Sequence, residues 1–212
     1  MRLLICLFLL FISPISKAQT WDDDLSKTCR IFQTGLNEQA YLAGIEQLDA
    51  AVKNYPKEWQ AAYYAAWYRV QYLMRKDLKT ELYRERYLMQ AETKLLPWLN
   101  DKGHPEIFIL NAYIQVLRMD WYRHQDAQKN TAKAEDRISL ARQKTSDNPR
   151  LSVVEGLFNY LNPENLDSSL KDRARTHFIE AEALFNLGTT VSYPLMPSWG
   201  WDICQEYLQY LR

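Results

Sequence analysis

Residues 44–66, GIEQLDAAVKNYPKEWQAAYYAA, contain the pattern that decides the fold. A small residue, Gly44, precedes the large apolar residue Leu48 by four positions, and Ala51 follows three positions later. Residues three and four apart lie on one face of an α-helix, so these positions form a packing face. Pro56 then ends the helical pattern. The segment therefore predicts a helix, a turn and a second helix that packs back on the first.

The same spacing of residues recurs three more times along the chain. The large apolar positions are 48, 88, 138 and 178, and Arg84 replaces the small residue in the second copy. The repeated packing residues are Leu88 and Ala91; Ala134, Ile138 and Ala141; and Ala174, Phe178 and Ala181. Each copy is followed by a proline that is expected to open the next helix, because a proline fits the first helical turn: Pro56, Pro105, Pro149 and Pro197. A helix pair is thus the repeating unit.

The spacing from Gly44 to Pro56 resembles the second half of the tetratricopeptide repeat (TPR) motif. Ala62 and Ala66 lie where that family uses small residues between paired helices. The intervals of 40 to 50 residues exceed the family's period of about 34, and its first-helix signature is not reproduced in register. The resemblance implies a diverged, TPR-like superhelical array of antiparallel helix pairs, with about eight to nine helices and a C-terminal capping helix.

The composition also favours an all-α protein. The chain has only 6 Gly among 212 residues, well below the average usage of about 7%. Lys and Arg number 26 and Asp and Glu number 26, so the balanced charge excludes a broad nucleic-acid-binding surface. The predicted helices span residues 22–34, 37–54, 57–76, 79–96, 106–123, 127–145, 150–161, 169–187 and 199–211. The expected N-caps are Asp22, Asn37, Asp77 and Ser198, and the glycines expected at helix exits are Gly35, Gly103 and Gly188.

The first eighteen residues are predicted to be a signal peptide. Arg2 precedes the apolar run LLICLFLLFI, and Ser16 and Ala18 fit the small-residue rule for cleavage before Gln19. The run is too short to span a bilayer, which needs about 20 apolar residues. We therefore expect an exported protein, periplasmic or secreted, with residues 19–212 as a single domain and no membrane span after cleavage.

The sequence contains few residues in patterns typical of catalysis, cofactor binding or metal binding. The common hydrolase, metalloprotease, redox and nucleotide-binding motifs are missing, so the sequence predicts neither an enzyme, nor a cofactor, nor a metal site. His104 is expected to be exposed in a turn, and His177 with Glu180 is interpreted as part of a solvated helix face. A disulfide between Cys29 and Cys204 is not expected, because the two residues lie near opposite ends of an extended array.

The chain is rich in aromatic residues, with 7 Trp, 14 Tyr and 7 Phe, and their positions indicate a candidate binding surface. Three tyrosines spaced four apart form a stripe on the helix that starts near Trp59. The candidate partner-binding residues are Tyr64, Tyr68 and Tyr72, with Arg69 and Gln71 beside them. The alternative is that this stripe packs against an adjacent repeat. The segment from Pro197 to Trp201, PSWGW, is interpreted as a plug that fills one end of the array with Trp199 or Trp201.

The function that the TPR resemblance implies is a non-enzymatic interaction module, whose concave groove takes a protein or peptide partner in the cell envelope. Two alternatives remain open: a helical envelope enzyme that acts on polysaccharide, and a small-ligand or glycan binder that uses the tyrosines as a stacking platform. An aromatic trough would favour binding, and an acid of raised pKa in a closed cleft would favour the enzyme.

Overall fold

The computed structural model describes residues 21–32, 37–75, 84–162, 168–188 and 195–212. Over these residues the chain is all-helical, with nine α-helices and no strand. The helices are α1 (Trp21–Ile31), α2 (Glu38–Asn54), α3 (Trp59–Met74), α4 (Arg84–Leu95), α5 (Pro105–Trp121), α6 (Ala127–Lys144), α7 (Pro149–Leu161), α8 (Ser168–Asn186) and α9 (Trp201–Tyr210). The predicted signal peptide, Gly35 and Asp77 lie outside the described residues.

Local sequence signals explain where several helices begin. Pro105 and Pro149 are the first residues of α5 and α7, as predicted. The residue before each proline caps the helix: His104 Nδ1 accepts a hydrogen bond from the Glu106 amide, and the Asn148 side chain accepts one from the Arg150 amide. Asn37 caps α2 in the same way through the amide of Ala40.

Other predicted boundaries are wrong. Pro56 lies in an exposed turn before α3, which begins at Trp59. Ser198 does not cap the last helix, because α9 begins at Trp201 after Gly200, whose φ of 109° suits a residue without a side chain. Pro197 therefore belongs to an irregular segment rather than to a helix start.

The repeated packing positions lie in the core. Leu48, Leu88 and Phe178 are 0% exposed and Ile138 is 5% exposed, and the small residues that recur beside them are buried as well: Gly44, Ala51, Ala62, Ala66, Ala91, Ala134, Ala141, Ala174 and Ala181. At Gly156 on α7, an added Cβ would lie 2.8 Å from the Phe178 ring on α8. The absence of a side chain at Gly156 thus lets these two helices approach closely.

Helices that follow one another in the chain pack together, and two further contacts organise the molecule. α3 packs against α5, and α5 packs against α7, so these three helices lie side by side in a row. α4, α6 and α8 pack as the second members of the pairs α3–α4, α5–α6 and α7–α8. Within the described ranges, no helix is both long enough and apolar enough to cross a membrane.

Candidate functional site

Residues 195–199, which we call the strap, run in irregular conformation past the row formed by α3, α5 and α7. The backbone carbonyl of Pro197 accepts a hydrogen bond from Arg150 Nη1 on α7 at 3.0 Å. The carbonyl of Met196 accepts one from the hydroxyl of Tyr64 on α3 at 3.3 Å. The strap is thus held to two helices through its main chain, independently of its side chains.

Trp199 anchors the end of the strap. Its ring stacks on Trp67 of α3 with centroids 4.9 Å apart, and on Tyr113 of α5 with centroids 5.1 Å apart. Its indole N–H donates a hydrogen bond to the hydroxyl of Tyr63. Trp199 therefore packs onto α3 and α5 rather than filling one end of the array as predicted, whereas Trp201 is 38% exposed and contacts Phe185 edge-on.

The strap is bonded through its main chain to a buried ion pair between Arg150 and Glu106. Arg150 and Glu106 are 2% and 1% exposed, and Arg150 Nη2 and Nε bind the two carboxylate oxygens of Glu106 at 2.6 and 2.9 Å. Asn148 also donates to Glu106 at 2.6 Å. A buried charge pair is tolerated when its hydrogen-bonding groups are satisfied, and here the Pro197 carbonyl takes one of the remaining guanidinium donors. No sequence pattern indicated this pair.

A cleft of about 260 Å³ lies between α1, α3 and the strap; we call it the aromatic cleft. It is lined by Ser26, Cys29 and Arg30 of α1, by Tyr63, Tyr64, Trp67 and Tyr68 of α3, and by strap residues 195–199. Among these lining residues there is no carboxylate, and Arg30 is an exposed cation. The cleft thus offers aromatic walls and one positive group at its surface.

Apart from Arg30, the titratable groups that line the aromatic cleft are neutral near pH 7. Burial raises the pKa of the Cys29 thiol to about 12, although a hydrogen bond with Tyr68 opposes this shift. Burial also raises the pKa of Tyr64 and of Tyr68 above the ordinary tyrosine value. The Tyr68 hydroxyl donates to the Cys29 carbonyl at 3.4 Å. The cleft can therefore make apolar contacts and neutral hydrogen bonds, but it presents no thiolate or phenolate.

The three tyrosines of the predicted stripe lie in two different environments in the structure. Tyr64 and Tyr68 line the aromatic cleft, whereas Tyr72 is 3% exposed and donates to Glu38 at 2.6 Å. Arg69 is 4% exposed and pairs with Asp49 at 2.6 Å. Gln71 is half-buried. An open groove lined by all five residues was expected, and this placement corrects it for Arg69 and Tyr72, because α3 packs against both α2 and α4.

Both cysteines of the described region are buried and unbridged. Cys29 lies beside the aromatic cleft, and Cys204 is 0% exposed on α9, where its sulfur contacts the Phe178 carbonyl at 3.1 Å. His104 is half-buried rather than exposed, because its ring stacks on Trp59 with centroids 3.8 Å apart.

Over the described residues the protein is thus all-helical, with an aromatic cleft between α1, α3 and the strap. Comparison with solved structures finds the HusA haemophore from Porphyromonas gingivalis, with a TM-score of 0.75 and 17% sequence identity over 91% of this chain and 93% of that one. At this identity the likeness establishes the fold. No family model and no curated protein matches the chain.

Proposed function

We propose that this chain is an exported, non-enzymatic binding protein whose aromatic cleft takes a planar, conjugated ligand of the porphyrin class. The observation that carries the proposal is the convergence of Tyr64, Trp67, Tyr68 and Trp199 on one cleft with an exposed arginine beside it. The shared fold with a haemophore supports the same ligand class. Aromatic walls suit flat apolar ligands, and an arginine suits the carboxylates that porphyrins carry.

The size of the cleft argues for partial rather than complete enclosure. Ligand pockets that bury a drug-sized molecule occupy about 300–1,000 Å³, and the aromatic cleft measures about 260 Å³. We therefore propose that one edge of the macrocycle enters the cleft while its carboxylates stay near Arg30 at the surface.

Neutral cleft groups imply a particular mode of binding. Phenolate, thiolate, imidazole and thioether groups are the usual protein ligands of haem iron. Burial raises the pKa of Tyr64, Tyr68 and Cys29, so iron bound through any of them would first have to displace a proton from a buried group. We therefore expect contacts with both the aromatic rings and the hydrogen-bonding groups of the cleft to provide the affinity, and iron-free porphyrin to bind about as well as haem.

The proposal is tested by titrating the purified protein with haemin, with protoporphyrin IX and with protoporphyrin dimethyl ester, followed by absorbance and tryptophan fluorescence. Arg30→Glu is expected to weaken binding of the two free acids by up to about fivefold, the range for a solvent-exposed ion pair, and to leave the ester unaffected. Arg123→Glu, at an exposed arginine that is not among the residues lining the cleft, is the matched control. Failure of the wild-type protein to bind any of the three would reject the proposal.

A TPR-like interaction module is the second candidate, and the strap is the observation that favours it. The row of α3, α5 and α7 already holds an irregular segment of the chain through its carbonyls and one tryptophan. A peptide partner on this row would therefore have to displace residues 195–199. The signal peptide over residues 1–18 is part of the same proposal, and N-terminal sequencing of protein recovered from the culture medium or periplasm tests it.

A further inference from the structure

A second cleft, with a volume of about 590 Å³, lies between α6, α7 and α8. It shares no lining residue with the aromatic cleft. Glu135 and Asp136 of α6 line one side, and Glu155 of α7 and His177 of α8 line another. The cleft thus gathers carboxylates and an imidazole from three different helices.

Two potential metal-ligating residues, Glu155 and His177, line this cleft, and a third, Glu180, lies three residues beyond His177 on α8. Glu155 Oε2 lies 3.2 Å from His177 Nδ1, and Glu180 Oε2 lies 3.6 Å from the same nitrogen. All three ligand atoms lie within 4.8 Å of one another. Bonds of about 2.0–2.2 Å at tetrahedral angles to Zn²⁺ separate neighbouring ligand atoms by about 3.3–3.6 Å. The two separations from His177 Nδ1 are close to this range, and the two carboxylate oxygens lie within 4.8 Å of each other.

The imidazole nitrogen provides an independent observation. His177 Nδ1 is a buried atom that lies within ion-pair distance of one carboxylate on α7 and one on α8. A buried imidazole nitrogen that faces two carboxylates can bind a divalent cation if that cation displaces the imidazole proton.

The helices hold these groups in place for identifiable reasons. His177 and Glu180 are three residues apart on α8, so they share a helical face. Glu155 precedes Gly156, where α7 approaches the Phe178 ring of α8. Arg142 donates from Nε and Nη2 to Glu155 Oε1, which leaves Oε2 for His177. Such an outer contact orients a ligating carboxylate.

We propose that Glu155, His177 and Glu180 form a binding site for a divalent transition metal of the zinc type. One imidazole and two carboxylates match the ligands that Zn²⁺ accepts, and a water or a group of an incoming ligand would complete its coordination from the cleft. Arg142 and Arg173 also line the cleft, so the metal binds against two guanidinium groups and the affinity is moderate.

The test uses the full protein without a histidine tag, stripped of metal with a chelator and titrated with Zn²⁺ by calorimetry. Co²⁺ serves as a spectroscopic probe, because its visible absorption reports coordination by imidazole and carboxylate in a tetrahedral site. We expect one Zn²⁺ per chain and a rise in Tm on binding. His177→Ala and Glu180→Gln are each expected to weaken binding by at least about tenfold.

Two variants separate metal binding at this site from binding elsewhere and from loss of folding. His124→Ala removes an exposed imidazole elsewhere on the surface and should leave Zn²⁺ affinity unchanged. Glu180 is exposed, so Glu180→Gln tests the site even where His177→Ala alters folding. Absence of Zn²⁺ binding by the wild-type protein, or equal affinity in wild type and Glu180→Gln, would overturn the proposal.

Discussion

The indole of Trp199 stacks on the indole of Trp67, with ring centroids 4.9 Å apart and an interplanar angle of 19°. Trp67 belongs to α3 and Trp199 to the strap, so the contact joins two distant parts of the chain. Tyr113 of α5 also stacks on the Trp199 ring, and its centroid lies 6.3 Å from that of Trp67, so the three rings form one cluster. Residues 195–199 are consequently part of the tertiary structure, so removing this contact should lower the stability of the protein.

Trp199→Ala is expected to lower the free energy of unfolding by about 2–4 kcal/mol, because the change removes two stacking contacts and the bond to Tyr63. Urea denaturation followed by circular dichroism measures the effect. Trp201→Ala is the matched control, with an expected loss below that of Trp199→Ala, since Trp201 is 38% exposed and contacts Phe185 only at an edge. Equal losses in the two variants would contradict the anchoring role of Trp199.

Arg150→Met should destabilise the protein by about 3–5 kcal/mol, because Glu106 would remain buried without its partner. The double variant Arg150→Met/Glu106→Leu should recover part of this loss, since it removes the uncompensated charge as well. The exposed pair between Arg123 and Asp120 provides the comparison, and Arg123→Ala is expected to cost less than about 1 kcal/mol. A double variant less stable than Arg150→Met would show that the pair does not act in this way.

His104 should make stability depend on pH. Burial lowers the pKa of His104, and the nearby Arg150 acts in the same direction while Glu106 opposes it. The neutral ring is also required because Nδ1 accepts the hydrogen bond that caps α5. Its folded pKa lies below its unfolded pKa of about 6.5, so its stabilisation is present above that value and is lost as the pH falls.

His104→Asn tests this assignment, because asparagine caps a helix without titrating. Thermal denaturation between pH 7.5 and pH 5 should show a smaller loss of stability in His104→Asn than in the wild type. Parallel curves for the two proteins across this range would remove His104 as the source.

Both buried thiols should resist alkylation in the folded protein. Burial raises the pKa of Cys29 to about 12 and that of Cys204 to about 11, so neither forms much thiolate at pH 8. After treatment with iodoacetamide, peptide mapping by mass spectrometry should find both cysteines unmodified in native protein and both alkylated after denaturation. Modification of Cys29 in the native state would indicate an open aromatic cleft, and failure of both to react after denaturation would indicate a disulfide.

Local signals explain why the helices could be predicted. The apolar spacing around Leu48, Leu88, Ile138 and Phe178 repeats at helical period, and Pro105 and Pro149 mark the starts of α5 and α7. These features depend on residues only a few positions apart, so they can be recognised in the sequence without knowledge of the fold. The TPR-like superhelical arrangement itself stays a prediction.

The candidate sites depend on contacts that the sequence does not reveal. The strap has irregular backbone and no periodicity, so its carbonyl contacts with Tyr64 and Arg150 have no sequence signature. In the sequence, nothing distinguishes Arg150 and Glu106 from surface charges, and only the packing of α5 against α7 buries them as a pair. His177 and Glu180 were interpreted as a solvated face for the same reason, because Glu155 comes from a different helix.

The attachment of the strap has a consequence for the order of folding. Its anchoring groups come from three helices: Tyr64 and Trp67 from α3, Tyr113 from α5 and Arg150 from α7. These helices are synthesised before residues 195–199, and the anchoring contacts exist only once all three have assembled. We therefore expect the strap to dock in a late kinetic step, with the helical row forming first as a partly folded intermediate whose tryptophans are still exposed to solvent.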